Sequence, residues 1–161
     1  MNVFKSNQIK SLLFMVAVFV LALSDAKVIA NAAPTIDQEK PTVLITGSNR
    51  GIGLSLAQNY AEQGWNVIAT CRKPNKAMDL ISLKKEYSNV NIEELDVTSQ
   101  DQIIALAKKY DGIPIDVLLN NAGILGEVQD QAFGGLNDQT FNRVFAVNTL
   151  APLKVSEAFI D

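Results

Sequence analysis

Three glycines, Gly47, Gly51 and Gly53, fall within the eight residues Thr46 to Gly53 (TGSNRGIG). An apolar run precedes them and an amphipathic helical pattern follows. At such a junction the first glycine permits a tight turn and the second lets backbone approach a pyrophosphate with no Cβ in the way. The third lets the helix pack close to the sheet. The N–H groups of the helix start, aided by its dipole, then face the phosphates. Ser48, Asn49, Arg50 and Ile52 belong to the same turn, and all seven residues from Gly47 to Gly53 are expected to bind a dinucleotide.

The end of the next apolar run decides which dinucleotide. A site for NAD places Asp or Glu there to accept from the ribose 2′-OH. This chain has Cys71 in that place, followed by Arg72 and Lys73. No carboxylate stands there to repel a 2′-phosphate, and the Arg72 guanidinium can clamp one bidentately. Arg50 adds a second positive charge from the glycine turn. The expected cofactor is NADP.

Composition removes other chemistries. The 161 residues contain no histidine and one cysteine, Cys71. A histidine-based triad, a zinc cluster and an internal disulfide are excluded, and no metal site is expected. The net charge of −3 comes with no basic stripe, so nucleic acid is not an expected partner.

The elements that must carry the turn read as alternating strands and helices, the signature of a parallel α/β sheet. Thr42–Thr46 is a first strand. Ile52, Leu56 and Tyr60, with Ala57 and Ala61 beside them, form the apolar face of a first helix that stops at Gly64. Asn66–Thr70 is a second strand and Ala77–Tyr87 a second helix. Val90–Leu95 is a third strand, and Thr98 with Asp101 is expected to cap a third helix. Asp116–Leu119 is a fourth strand, ended by Asn120, and a last helix starts near Asp138. On that helix Phe141, Val144, Phe145 and Asn148 share one apolar face. Pro152 has no N–H to give the Asn148 carbonyl, which predicts a kink and a free acceptor.

Taken together the motifs resemble the short-chain dehydrogenase/reductase superfamily, in its single-domain branch. TGSNRGIG matches that branch's TGxxxGxG pattern, and the wording of NRGIG and TCR is similar to C-factor and carbonyl-reductase-like members. The resemblance implies a Rossmann-type doubly wound sheet, of which the first four strands and their helices are present. It implies that Asp96 and Val97, in LDVT, contact the adenine. In NNAG, Asn121, Ala122 and Gly123 are expected to lie beside the cofactor, while Asn120 ties neighbouring elements together. The resemblance also implies that Asn148, in AVNTLAP, is the catalytic contribution of this chain and holds a water of a proton relay.

The family's chemistry also needs a serine and a Tyr-x-x-x-Lys pair. Tyr60, Tyr87 and Tyr110 are followed at the fourth position by Gly64, Asn91 and Pro114, so none fits. The chain is therefore expected to be the front, cofactor-holding part of a longer enzyme that interconverts a small carbonyl and an alcohol with NADP(H). Alone it is expected to be inactive and poorly soluble, with its fourth strand an open edge. The rival reading is a non-catalytic nucleotide-binding or signalling protein retaining half of the fold. The resemblance allows a homo-oligomer for the whole protein.

Residues 1–32 read as a secretory signal peptide. Lys5 and Lys10 precede the twelve apolar residues Leu12–Leu23, and Ala30 and Ala32 offer a cleavage pattern. Twelve residues fall short of the ~20 needed to span a bilayer. Export is expected if that signal operates, and a cytoplasmic location if it does not. Residues 33–41 read as a linker and 42–161 as the incomplete NADP-binding domain.

Overall fold

The computed structural model describes residues 35–160. The expected signal segment lies outside those residues. Four short strands form one parallel sheet: β1 (Thr42–Ile45), β2 (Asn66–Cys71), β3 (Val90–Glu94) and β4 (Val117–Leu119), in the order β3-β2-β1-β4. Registers run Val43 to Val67 and Val117, and Val67 to Val90. β1 is therefore central, and the chain reverses its lateral direction between β1 and β4. Ligands of such sheets bind at that reversal, outside the carboxyl ends of the strands.

Period-two alternation along the strands feeds two cores. Val43, Ile45, Val67, Ala69 and Val90 face one side. They meet Ala57 and Ala61 of α1 (Gly51–Glu62) and Leu80 and Leu83 of α2 (Met78–Glu86). Leu44 and Ile68 face the other side. There they meet Ile103 and Leu106 of α3 (Gln100–Lys109) together with Ala151 and Val155 of α5 (Ala151–Phe159). Before α5 come α4 (Asp138–Phe145) and a π turn (Ala146–Leu150) continuous with both helices. Among the described residues no helix is long and apolar enough to cross a membrane.

Several expectations are corrected here. Ile52 is 75% exposed and not part of the apolar face of α1, because it occupies the first turn, beyond the carboxyl end of β1. The α3 cap is Ser99, whose side chain accepts from the Gln102 N–H. Thr98 instead turns back and donates to Asp96. The last helix does not bury its expected face: Phe141 and Phe145 are 56% and 46% exposed, and Asn148 is also exposed among the described residues.

The linker is also more than a linker. Asn66 Nδ2 donates to the carbonyls of Asp37 (2.8 Å) and Lys40 (3.0 Å), while its Oδ1 accepts from the Asp37 N–H (3.0 Å). Asn91 exchanges a second pair with Thr35. Residues 35–40 are thus a strap laid across the amino ends of β2 and β3.

Candidate functional site

The turn after β1 is built from inside the sheet. Thr46 donates its N–H to the Leu119 carbonyl (3.0 Å), and its hydroxyl accepts from the Ala122 N–H (3.0 Å). Gly47 has φ +69° and lies against Ala122, where an added Cβ would stand 2.9 Å from the Ala122 Cα. Ser48 is fully buried, its N–H on the Thr70 carbonyl and its hydroxyl on the Ile45 carbonyl, both at 2.8 Å. It braces the turn and does not line the cleft, which corrects its expected place among the cofactor contacts. The neutral, short hydroxyl found a carbonyl one turn back before it could face outward.

Gly51 and Gly53 divide the work differently from each other. Gly51 has φ +56° and open space where a Cβ would be. Gly53 is buried, and a Cβ there would collide with the Gly47 carbonyl and Asn121 Nδ2. Its role is contact with the turn itself, more than the expected contact with the sheet. Among the described residues no side chain caps the N-terminus of α1, and no acidic residue stands in its first turn. The orphan N–H groups of that terminus are left for an outside acceptor, and the helix dipole favours an anion.

They open onto a cleft of about 380 Å³. Its lining brings together Gly47, Asn49, Arg50, Gly51, Ile52 and Gly53 from the turn. Arg72 with Cys71 comes from the end of β2, Asp96 and Val97 follow β3, and Asn121, Ala122 and Gly123 follow β4. Every expected binding residue except Ser48 is there. Leu95, Ile124 and Val147 line it too and carried no sequence signal, being ordinary apolar residues. A larger groove of about 750 Å³ lies beside Tyr110, Ile113 and Phe159, far poorer in charged and amide groups.

A second cleft of about 480 Å³ shares Asn49, Cys71, Arg72 and Asp96 with the first. Lys73 and Lys76 add positive charge, and Glu94 enters beside them. The expected absence of a carboxylate holds for the end of β2. The register pairs Cys71 with Glu94, however, so β3 delivers a carboxylate to the same region.

Asp96 is held on one oxygen. Thr98 donates its hydroxyl (2.7 Å) and its N–H (3.0 Å) to Oδ1. The Thr98 hydroxyl, then its N–H and the nearby Arg72 charge, hold the carboxyl below its ordinary value while burial opposes them. Burial pushes the Cys71 thiol up, against the Lys73 N–H.

On the β4 side, Asn120 Nδ2 donates to Ser156 Oγ of α5 (3.0 Å), the expected tie between elements. Asn121 is a clamp on the turn, donating to the Thr46 and Gly47 carbonyls. Asn148 does not line the cleft. Its Oδ1 accepts from the Ile124 N–H (3.0 Å) and its Nδ2 donates to the Ile124 carbonyl (2.8 Å), so the side chain holds a cleft residue in place. The expected kink takes the form of the π turn, in which the Ala151 N–H reaches the Ala146 carbonyl. Pro152, at the second position of α5, has no N–H for the Asn148 carbonyl, which is the reason a wider turn is favoured there.

A strand-turn-helix cradle with an uncapped helix N-terminus, at the reversal point of a parallel sheet, defines a dinucleotide-binding Rossmann unit. The chain belongs to the short-chain dehydrogenase family, whose family model, described as short chain dehydrogenase, matches residues 41–161. It is 38% identical over 120 residues to an uncharacterized oxidoreductase of Schizosaccharomyces pombe, covering 71% of this chain and 46% of that relative. A Bacillus subtilis relative, the uncharacterized oxidoreductase YvrD, is 34% identical over 119 residues, covering 73% of this chain and 44% of its own. The chain thus spans about half the length of the curated relatives it matches. Among solved structures it is similar to NADPH-bound carbonyl reductase from chicken fatty liver, with 34% identity and a TM-score of 0.68 over 74% of this chain and 50% of that one. A carbonyl reductase from Pseudomonas aeruginosa in complex with NADP gives a TM-score of 0.69 at 29% identity, covering 74% of this chain and 52% of its own.

Proposed function

We propose that the protein is an NADP(H)-dependent oxidoreductase that interconverts a small carbonyl compound and its alcohol, with this chain as the part that holds the cofactor. One observation carries the reading: the uncapped N-terminus of α1 opens onto a cleft that also gathers Arg50 and Arg72. The similarity to NADP(H)-bound carbonyl reductases supports it.

The residues present fit the cofactor. Open space at Gly51 admits the pyrophosphate against the first N–H groups of α1. Arg72 and Arg50 meet a 2′-phosphate, and the excess of cations over carboxylates in the adjoining cleft favours the added charge. The adenine side lies at Asp96 and Val97, and the nicotinamide side at Asn121–Ile124. When bound, the nicotinamide supplies or accepts the hydride. Asn148 keeps Ile124, and with it that wall of the cleft, in register.

The test is the binding of NADPH and NADH to the wild-type chain and to Arg72→Glu. NADPH affinity should fall at least roughly tenfold in the variant, the size of one lost charge-assisted contact, while NADH is spared. Equal losses for both cofactors would refute the 2′-phosphate assignment. We also propose export, on the pattern of residues 1–32, with a mature N-terminus near Ala33. An intact Met1 in a cytoplasmic fraction would refute that.

A further inference from the structure

Gln102 reaches back from the first turn of α3 to the segment that follows β3. Its side-chain oxygen accepts from the Asp96 main-chain N–H at 2.6 Å. A main-chain N–H can be met only by the amide oxygen, so the orientation of that amide is fixed by chemistry. Asp96 is thus gripped at two points. Gln102 holds its peptide, and Thr98 holds carboxylate Oδ1 through two donors. Among the described residues no hydrogen bond reaches Oδ2, and Asp96 lines both clefts.

The topology says what Oδ2 should meet. β3 and β4 lie on opposite sides of β1, so Asp96 and Asn121–Ile124 flank the glycine turn from opposite directions. A pyrophosphate seated on Gly51 sends one nucleoside each way. Arg72 marks the β3 side as the adenosine side, with Val97 buried beside it as an apolar floor. A purine there presents its 6-position to a carboxylate oxygen. An exocyclic amine donates to it, whereas a carbonyl oxygen opposes it.

We infer that Gln102 is a positioning residue that makes the site select adenine over 6-oxopurines, by pinning the Asp96 peptide so that Oδ2 stays aimed at the exocyclic amine. This rests on the NADP reading above. Without the Gln102 oxygen the Asp96 N–H loses its partner and the peptide is free to turn. The carboxylate then follows it, and the amine is no longer distinguished.

The experiment measures dissociation constants of the full chain for NADPH and for its hypoxanthine analogue, which carries a carbonyl oxygen in place of the amine. Wild type should prefer the adenine form by roughly tenfold, as expected for one hydrogen bond to a charged acceptor. Gln102→Met, similar in length but without the acceptor, should lose most of that preference. Gln102→Glu keeps an acceptor oxygen, so its added charge should weaken both cofactors while the preference survives. A preference retained in Gln102→Met, or lost in Gln102→Glu, would overturn the inference and leave NADP binding standing. Failure of the wild-type chain to bind either cofactor would overturn both. No preference in the wild-type chain would likewise overturn it, and if Gln102→Met does not fold, Gln102→Leu, which also lacks the acceptor, takes its place.

Discussion

Asn121 donates from Nδ2 to the main-chain carbonyls of both Thr46 and Gly47, at 2.9 and 3.1 Å. One side chain from the loop after β4 thereby fixes the phosphate turn after β1. The two strands are neighbours in space, yet more than seventy residues separate the partners in sequence.

Removing that donor should leave two part-buried carbonyls unpaired. Asn121→Ala is expected to cost about 1–3 kcal/mol, read as a lower urea midpoint. Asn121→Asp should cost more at neutral pH, because a carboxylate would face two carbonyl oxygens. Its deficit relative to Asn121→Ala should shrink as the pH falls and the new acid protonates. An Asn121→Asp chain as stable as wild type at pH 7 would refute the clamp.

Gly51 and Gly53 should fail in different ways. Gly53→Ala forces a methyl into the Gly47 carbonyl and the Asn121 amide, an overpacking cost of about 1–3 kcal/mol or more. Gly51→Ala meets no neighbour and costs about 1–2 kcal/mol for its left-handed backbone. That variant should still fold, while its methyl occupies the space a pyrophosphate needs. Calorimetric melting and NADPH titration, run on both variants, separate the two. Wild-type NADPH affinity in Gly51→Ala would disprove the phosphate role.

Cys71 is 3% exposed, lines both clefts, and its thiol is held above the ordinary value chiefly by burial, with Glu94 adding to it. A thiol is a poor nucleophile while protonated. Alkylation by iodoacetamide should therefore be slow at neutral pH and accelerate only well into the alkaline range. NADPH should slow it further by covering the cleft. Fast labelling at pH 7, unaffected by NADPH, would contradict this placement.

The Asp96 carboxyl is held below its ordinary 3.8, first by the Thr98 hydroxyl. A depressed acid contributes its full stability above the unfolded-state value and loses it as pH falls through the folded-state value. The stability gap between wild type and Asp96→Asn should be flat at neutral and mildly acidic pH. It should close only in acid below 3.8. A gap already closing near neutrality would mean that Thr98 does not stabilise the charged form.

The sequence was most informative where side-chain period and backbone chemistry act alone. The four strands, the Gly64 stop and the glycine turn follow from local pattern, and each stands within a residue or so of its expected place. Ser48 departs from its expected place because its neighbours in the turn face outward while its own hydroxyl turns in to the Ile45 carbonyl, a choice the residue type alone does not reveal. Thr98 and Ser99 both have hydroxyls suited to a cap, and the choice was made by Asp96, which takes Thr98 for itself. The π turn follows from Pro152, but its width depends on how α5 seats Ala151 and Val155 in the core. The strap was hidden for a similar reason. A polar segment reads as solvated until two asparagines on other strands are known to face it.

That strap bears on where the folding unit starts. The family match begins at residue 41, yet the hydrogen bonds that satisfy buried Asn66 and Asn91 come from Thr35, Asp37 and Lys40. A recombinant boundary drawn at the edge of sequence similarity would remove the Thr35 partner of Asn91 and leave the Asn66 side chain with the Thr42 hydroxyl alone. The sheet's own hydrogen bonding therefore reaches further towards the N-terminus than the piece that evolution makes recognisable.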